Sequence, residues 1–249
     1  LICMPAKTVK IVEIQQAERT APVGFIGLPD IGLVGSIATT YLVTHLNAKE
    51  VCYLDSEDLP PVMVLHGGIP KESARIYDSP SAKMLIAETP VQASLLYGMI
   101  GATLEWFKSM GVSEVYSLGG MPVDNRADLD KPEVFVISSS AERREQIKSY
   151  GLNLMEEGVL TGPFAYTLRL AMKLGMVNTI VISQAYPDIP DPEASVAALE
   201  IVQKLGGPNV DLKPLMQMAD QIKIKSKEIL QKIKPEEEGE GFNLPLMYG

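Results

Sequence analysis

The sequence predicts an α/β fold of three layers: a largely parallel sheet with helices on both faces, followed by a C-terminal helix and a tail. Three observations predict it. Short β-branched and aliphatic runs alternate with helix-like stretches from Val9 to Leu205, the pattern of strands joined by crossover helices. Glycines close several of the helical stretches, at Gly111, Gly151 and Gly175, as helix C-termini prefer. After Gly206-Gly207-Pro208 the alternation gives way to one apolar stripe at helical spacing.

Taken in order, Val9 to Ile14 and Val23 to Ile26 read as strands. Ile31 to Leu46 reads as a helix opened by Asp30 as N-cap after Pro29. Val51 to Leu54, Val62 to His66, Ala74 to Tyr77 and Met84 to Ala87 are short strands. Ala93 to Met110 is a long helix. Glu114 to Leu118 and Val134 to Ser138 are strands, Ala141 to Tyr150 and Phe164 to Leu174 helices, and Thr179 to Ser183 a buried strand. Asp191-Pro192-Glu193 then supplies a cap, an N1 proline and a first-turn acid for a helix running to Leu205.

Beyond the glycines, Leu215, Ala219, Ile222, Ser226, Ile229 and Ile233 place one stripe on a helix from about Leu212 to Lys234. The division that follows is a core domain over 1–208, an amphipathic helix over 209–234 and an acidic linker and tail over 235–249. The linker carries Glu236, Glu237, Glu238 and Glu240 between Pro235 and Gly241, a composition that cannot bury enough apolar area to offset the entropy of ordering. The last residues turn apolar again, with Phe242, Leu244, Leu246, Met247 and Tyr248 before Gly249.

Bulk properties narrow the function classes. Hydrophobic residues make up 46% and charged residues 21%, the balance of a soluble globular protein. The net charge of −9 disfavours nucleic acid held by a general basic field. No run approaches the roughly 20 apolar residues that span a bilayer, so no membrane partner is expected. Leu1 to Pro5 is too short for a signal peptide, and Met4 is a candidate natural start. Cys3 and Cys52 suggest no disulfide framework, which points to the cytoplasm. With His45 and His66 as the only histidines, no metal site is expected, although carboxylates alone can hold magnesium.

Three constellations deserve a chemical reading. Gly24 to Ser36 follows a strand and opens a helix, a setting in which backbone can approach a phosphate. Its spacing of Gly27, Gly32 and Gly35 is not the dinucleotide fingerprint, no lysine follows, and Asp30 stands where the anion would sit. Close helix–sheet packing through Gly32, Gly35 and Ala38 explains the segment better. His66-Gly67-Gly68-Ile69-Pro70 and Gly119-Gly120-Met121-Pro122 each follow a strand and could line the crevice where α/β proteins keep their sites. That crevice would gather Gly27, Asp30, Gly32, His66, Glu88 and Asp124, with Asn125 and Arg126 beside them. A histidine with a carboxylate can serve as a general base; the same residues are also ordinary turn residues and N-caps. No Gly-x-Ser-x-Gly elbow and no activated cysteine is present, so no catalytic residue and no cofactor is assigned.

The glycine segment from Gly24 to Gly35, Glu88-Thr89-Pro90, Gly119-Gly120-Met121-Pro122, Gly158-Val159-Leu160-Thr161-Gly162-Pro163 and Asp188-Ile189-Pro190-Asp191-Pro192-Glu193-Ala194 occur in this order. In this the chain resembles the proteasome assembly chaperone family, in particular its archaeal members, over roughly Val23 to Leu205. The resemblance implies a doubly wound core similar to that of nucleoside phosphorylases, without an established catalytic site. It also implies a ring-like homo-oligomer, a tetramer or pentamer. In members whose chain ends in a hydrophobic residue, Tyr and any residue, it implies docking on the α-ring of the proteasome core particle. That ending maps onto Met247, Tyr248 and Gly249.

The tail has a physical logic of its own. A Met side chain adapts to an irregular apolar slot. A Tyr ring buries a large area and its hydroxyl finds a partner. A terminal carboxylate suits a lysine or a backbone nest. Leu244 and Leu246 would add accessory contacts, and the stretch from Pro235 to Gly249 reaches at most roughly 50 Å when extended. The expected function is therefore an ATP-independent, non-enzymatic proteasome-binding protein, an assembly chaperone or a gate-opening activator. Two alternatives stand beside it. One is a small-molecule binder or enzyme using the strand-end crevice, with a nucleoside or phosphate-bearing ligand. The other is an oligomeric scaffold for another protein with a silent tail.

Overall fold

The structure, a computed structural model, describes residues 9–19 and 22–221. Its strands are β1 (Lys10–Glu13), β2 (Val23–Gly27), β3 (Lys49–Asp55), β4 (Met63–His66), β5 (Ile69–Glu72), β6 (Ala74–Asp78), β7 (Ala82–Ala87), β8 (Glu114–Pro122), β9 (Val134–Ser138), β10 (Asn153–Leu154) and β11 (Val177–Ala185). Its helices are α1 (Val34–His45), α2 (Ala93–Ser109), α3 (Ala141–Ser149), α4 (Gly162–Lys173) and α5 (Pro192–Lys204). A further helix begins at residue 213 and runs through 221. The rest of the predicted C-terminal helix and the whole of 235–249 lie outside the described residues.

Nine strands form one sheet in the order β1-β3-β6-β7-β2-β8-β11-β9-β10. Its centre, β7-β2-β8-β11, is parallel throughout. The flanks turn antiparallel, at β1-β3-β6-β7 on one side and β11-β9 on the other. Every residue of β2 and of β7 is buried, as expected where helices cover both faces of a parallel sheet.

The period of two along each strand sorts side chains between two cores. Ile26, Leu85, Ala87 and Val115 point to one side, where they meet α2 and α4 through Leu95, Met99, Leu104, Phe107 and Leu170. Phe25, Met84, Tyr116, Leu118 and Val181 point to the other, where Val34, Ala38 and Leu42 of α1, Ile147 of α3 and Val196, Leu199 and Val202 of α5 cover them. Leu215, on the helix after residue 213, joins this second core. The three-layer α/β architecture is thus the one the sequence predicts.

Several local expectations need correction. The helix predicted from Ile31 to Leu46 starts later. Ile31–Leu33 is a 3-10 turn in which Gly32 and Leu33 take φ of 64° and 51°, and α1 begins only at Val34. Asp30 still serves α1, because its Oδ1 accepts the Gly35 N–H at 3.0 Å. The turn after His66 is not a crevice wall. Gly67 and Gly68 have φ of 58° and 81°, the geometry of a two-residue hairpin turn, and they join β4 to β5 in a separate two-stranded sheet. Likewise Gly119-Gly120-Met121-Pro122 is not a loop but the end of β8, held extended by pairing with β11 as far as Pro122.

The glycine segment packs as the helix–sheet reading expects. A Cβ on Gly35 would collide with the Leu118 carbonyl oxygen, and one on Gly32 would lie 2.8 Å from Ala185 Cβ. α1 therefore crosses β8 at backbone contact distance. This fixes where the loop from Leu28 to Leu33 stands over the strand ends.

Candidate functional site

The carboxyl ends of β7, β2 and β8 open into a cleft of about 460 Å³. Ile26, Leu28, Pro29, Ile31 and Leu33 form one wall, Ser117, Leu118 and Gly120 the floor, and Pro163, Phe164 and Thr167 at the start of α4 the other wall, with Pro90 at the rim. Asp30 is the only charged residue among them. Its Oδ2 accepts the Gly120 N–H at 2.6 Å while Oδ1 accepts that of Gly35. Burial pushes its carboxyl up to about 7, against the pull of those two backbone donors. The loop can lie this close only because Gly120 lacks a side chain: a Cβ there would run into the Ile31 carbonyl oxygen.

Of the residues expected to gather in the crevice, only Asp30 lines it. Gly27 lies beneath α1, where a Cβ would come 2.5 Å from Thr39 Cβ. Gly32 packs on Ala185 and Asp191. His66 and Glu88 do meet, with His66 Nε2 2.9 Å from the carboxylate. They meet beside the β4–β5 hairpin, where Arg75 also pairs with Glu88 and lies 3.1 Å from His66 Nε2. The buried guanidinium neutralises the carboxylate, so the pair acts as a clamp holding the hairpin to β6. Asp124 sits on the exposed turn after β8.

Arg126, next along that turn, is wholly buried. Its Nε donates to Asp191 Oδ2 at 2.8 Å and its Nη2 to Glu193 Oε2 at 2.9 Å. Burial opposes the charge, but the two carboxylates outweigh it and raise the guanidinium above its ordinary value. Asp191 also caps α5 by accepting the Ala194 N–H at 3.0 Å. The network pins the β8 end to the α5 start and has a structural role.

Cys52 is buried, and burial, then Glu13 and Asp78, push its thiol up to about 12, which leaves it inert near neutrality. No group of three or more His, Cys, Asp or Glu is arranged to hold a metal ion among the described residues. No helix among them is long and apolar enough to cross a membrane. Among the cleft residues that sequence reasoning did not single out, Phe164 is the aromatic one. Its one signal is the Gly162-Pro163 pair, which starts α4 and aims the helix N-terminus at the strand ends. The tail residues Leu244, Leu246, Met247, Tyr248 and Gly249 lie outside the described residues.

A mixed sheet parallel at its centre, two helical layers and a strand-end cleft define a three-layer α/β protein with a ligand-sized hollow. The chain belongs to the PAC2 family, whose sequence model matches residues 24–230. Its fold is similar to that of Pyrococcus furiosus PbaA, described as an archaeal homolog of proteasome-assembly chaperone, with a TM-score of 0.81 and 26% identity over 92% of this chain and 94% of that one. It is also similar to Pyrococcus furiosus PbaB, described as an archaeal proteasome activator, with a TM-score of 0.77 and 24% identity over 92% of this chain and 100% of the other. At sequence level it is 25% identical to the uncharacterised protein MJ0106 of Methanocaldococcus jannaschii, over 90% of this chain and 92% of that protein.

Proposed function

We propose that this chain is a non-catalytic, ATP-independent proteasome-binding protein, an assembly chaperone or activator, that docks on the α-ring of the core particle through Met247, Tyr248 and Gly249. Leu244 and Leu246 make accessory contacts, and the acidic stretch from Pro235 lets the tail reach away from the body. The observation that carries this reading is the Met-Tyr-Gly ending on a chain of the PAC2 family. The description of PbaA as a homolog of proteasome-assembly chaperone supports the choice of partner.

Three residues bind weakly, so the reading includes a closed, ring-like homo-oligomer, a tetramer or pentamer, acting in the cytoplasm. Linked tails then face their pockets at effective concentrations of order millimolar. Exposed apolar side chains on one face of the β4–β5 hairpin are consistent with self-association: Met63 and Leu65, two residues apart along β4, are 52% and 67% exposed. The test is capture of purified core particle by the full chain and by a chain ending at Leu244, with sedimentation equilibrium on both. The full chain is expected to retain core particle and to sediment as an oligomer. The shorter one should remain oligomeric and lose capture. Equal capture by both would remove the tail from the account.

A further inference from the structure

We propose that the strand-end cleft is a binding site for a small molecule with an apolar body and a single primary amine, the ammonium lying against Asp30. This site is independent of the tail.

The cleft has the volume of a ligand site. Its 460 Å³ falls inside the range of about 300–1,000 Å³ typical of pockets for small organic molecules. It stands at the carboxyl ends of parallel strands, where α/β proteins place ligands. Its walls are aliphatic, prolyl and aromatic, so an apolar body gains from entering. The polar side chains there are largely committed. The Thr167 hydroxyl donates to the Pro163 carbonyl at 2.8 Å, and the Ser117 hydroxyl accepts from Asn178 at 3.0 Å.

Asp30 is the exception. Each carboxylate oxygen accepts one backbone N–H and has capacity for another bond. The bonds fix the carboxylate without neutralising it, since both donors are uncharged. No Lys, Arg or His among the described residues lines the cleft. Arg126, on the turn beyond β8, is committed to Asp191 and Glu193. Among the described residues the cleft therefore holds one immobilised carboxyl without a cationic partner; burial leaves it partly protonated near neutrality, and an ammonium placed against it would draw it to the ionised form. Above about pH 7 a phosphate or carboxylate ligand would meet like charge there, and no cation among the described lining residues would hold it, so the same geometry argues against a nucleotide.

The carboxylate has an aromatic neighbour. A Cβ on Gly119 would crowd the Phe164 ring and Asp30 Oδ2 together, the latter at 2.7 Å. Ring edge and carboxylate thus flank the same point of the floor, so that an apolar body carried by an ammonium at Asp30 would lie beside the ring. The rim is held in an unusual backbone state. Leu33, at φ 51°, adopts a left-handed conformation that non-glycine residues avoid and that collects at functional sites. It turns a leucine onto the mouth of the cleft, where it is 38% exposed.

The test uses three probes of nearly one shape, benzylamine, benzyl alcohol and benzoate, titrated into the full chain at about pH 8, above the value of about 7 to which burial lifts Asp30 and below that of an alkylammonium. Binding is read from the methyl resonances of Ile26, Ile31 and Leu118. We expect benzylamine to shift these methyls and to bind about tenfold or more tightly than benzyl alcohol, since a hydrogen bond to a charged group exceeds a neutral one. Benzoate should leave them unmoved. Asp30→Asn should bring benzylamine and benzyl alcohol to similar affinity. The comparison among probes on the unaltered protein stands even if that variant does not fold. Benzoate binding as tightly as benzylamine, shifts confined to other methyls, or no response to any probe would each overturn the proposal.

Discussion

Arg126 Nε and Asp191 Oδ2 lie 2.8 Å apart with both side chains shut away from water. The pair joins the end of the central strand β8 to the start of α5, and the aromatic ring of Tyr186 lies 5.2 Å from the guanidinium carbon. Removing one partner of such a pair leaves an uncompensated buried charge. Arg126→Met is expected to lower unfolding free energy by about 3–5 kcal/mol. Urea unfolding monitored by circular dichroism checks this. A loss below about 1 kcal/mol would mean that water already reaches the site.

Two glycines should respond in opposite directions to alanine. At Gly35 the new methyl meets the Leu118 backbone, which cannot turn aside. Overpacking of this kind costs about 1–3 kcal/mol, and Gly35→Ala should also widen the cleft by lifting α1. At Gly101, inside α2, the nearest atom would be Leu170 Cδ1 at an ordinary 3.9 Å. Gly101→Ala should therefore stabilise by about 0.5–1 kcal/mol through helix propensity. Thermal unfolding of both variants measures the contrast.

How far the sequence could be read follows from the range of the forces involved. Elements set by local pattern come out well: Val134–Ser138 coincides with β9, and the Asp191-Pro192-Glu193 start coincides with α5. Elements set by partners do not. Gly119 and Gly120 argue locally against a strand, yet β11 pairs with them and carries β8 on to Pro122. The strand β5 hides behind Pro70 and Lys71, because only its pairing with β4 makes it a strand. In the cleft, Asp30 was legible from its place after a strand. Phe164 was not, since its position depends on how α4 docks. His66 and Glu88 meet each other, and Arg75, which turns that pair into a clamp, carries no sequence signal.

Asp30 should leave a trace in the pH dependence of stability. Burial raises its folded-state value to about 7 from an ordinary 3.8. Between those values the folded chain holds a proton that the unfolded chain has released, so stability falls as pH rises through that window and levels off above it. Asp30→Asn cannot titrate. The stability of the unaltered protein minus that of Asp30→Asn is therefore expected to decline from pH 4 to pH 7 and stay flat beyond. Urea midpoints at four or five pH values across the window are enough. A difference that rises with pH would show the two backbone donors outweighing burial.

The chaperone and activator readings separate on hydrolysis of a short fluorogenic peptide by core particle. An activator opens the entrance, so adding the full chain should raise the rate. A chaperone that docks without opening the gate should leave it unchanged while still being retained by core particle. Adding one residue after Gly249 displaces the carboxylate and keeps every side chain. It should weaken retention in either case.

The most direct test of the central claim is the affinity of the full chain for purified core particle with and without Tyr248→Ala. Loss of a buried aromatic anchor costs about 2 kcal/mol or more per site, so retention should fall by about thirtyfold or more, with Tyr248→Phe between the two and oligomer size unchanged in all three. Equal affinity of Tyr248→Ala and the unaltered chain would contradict docking through the tail.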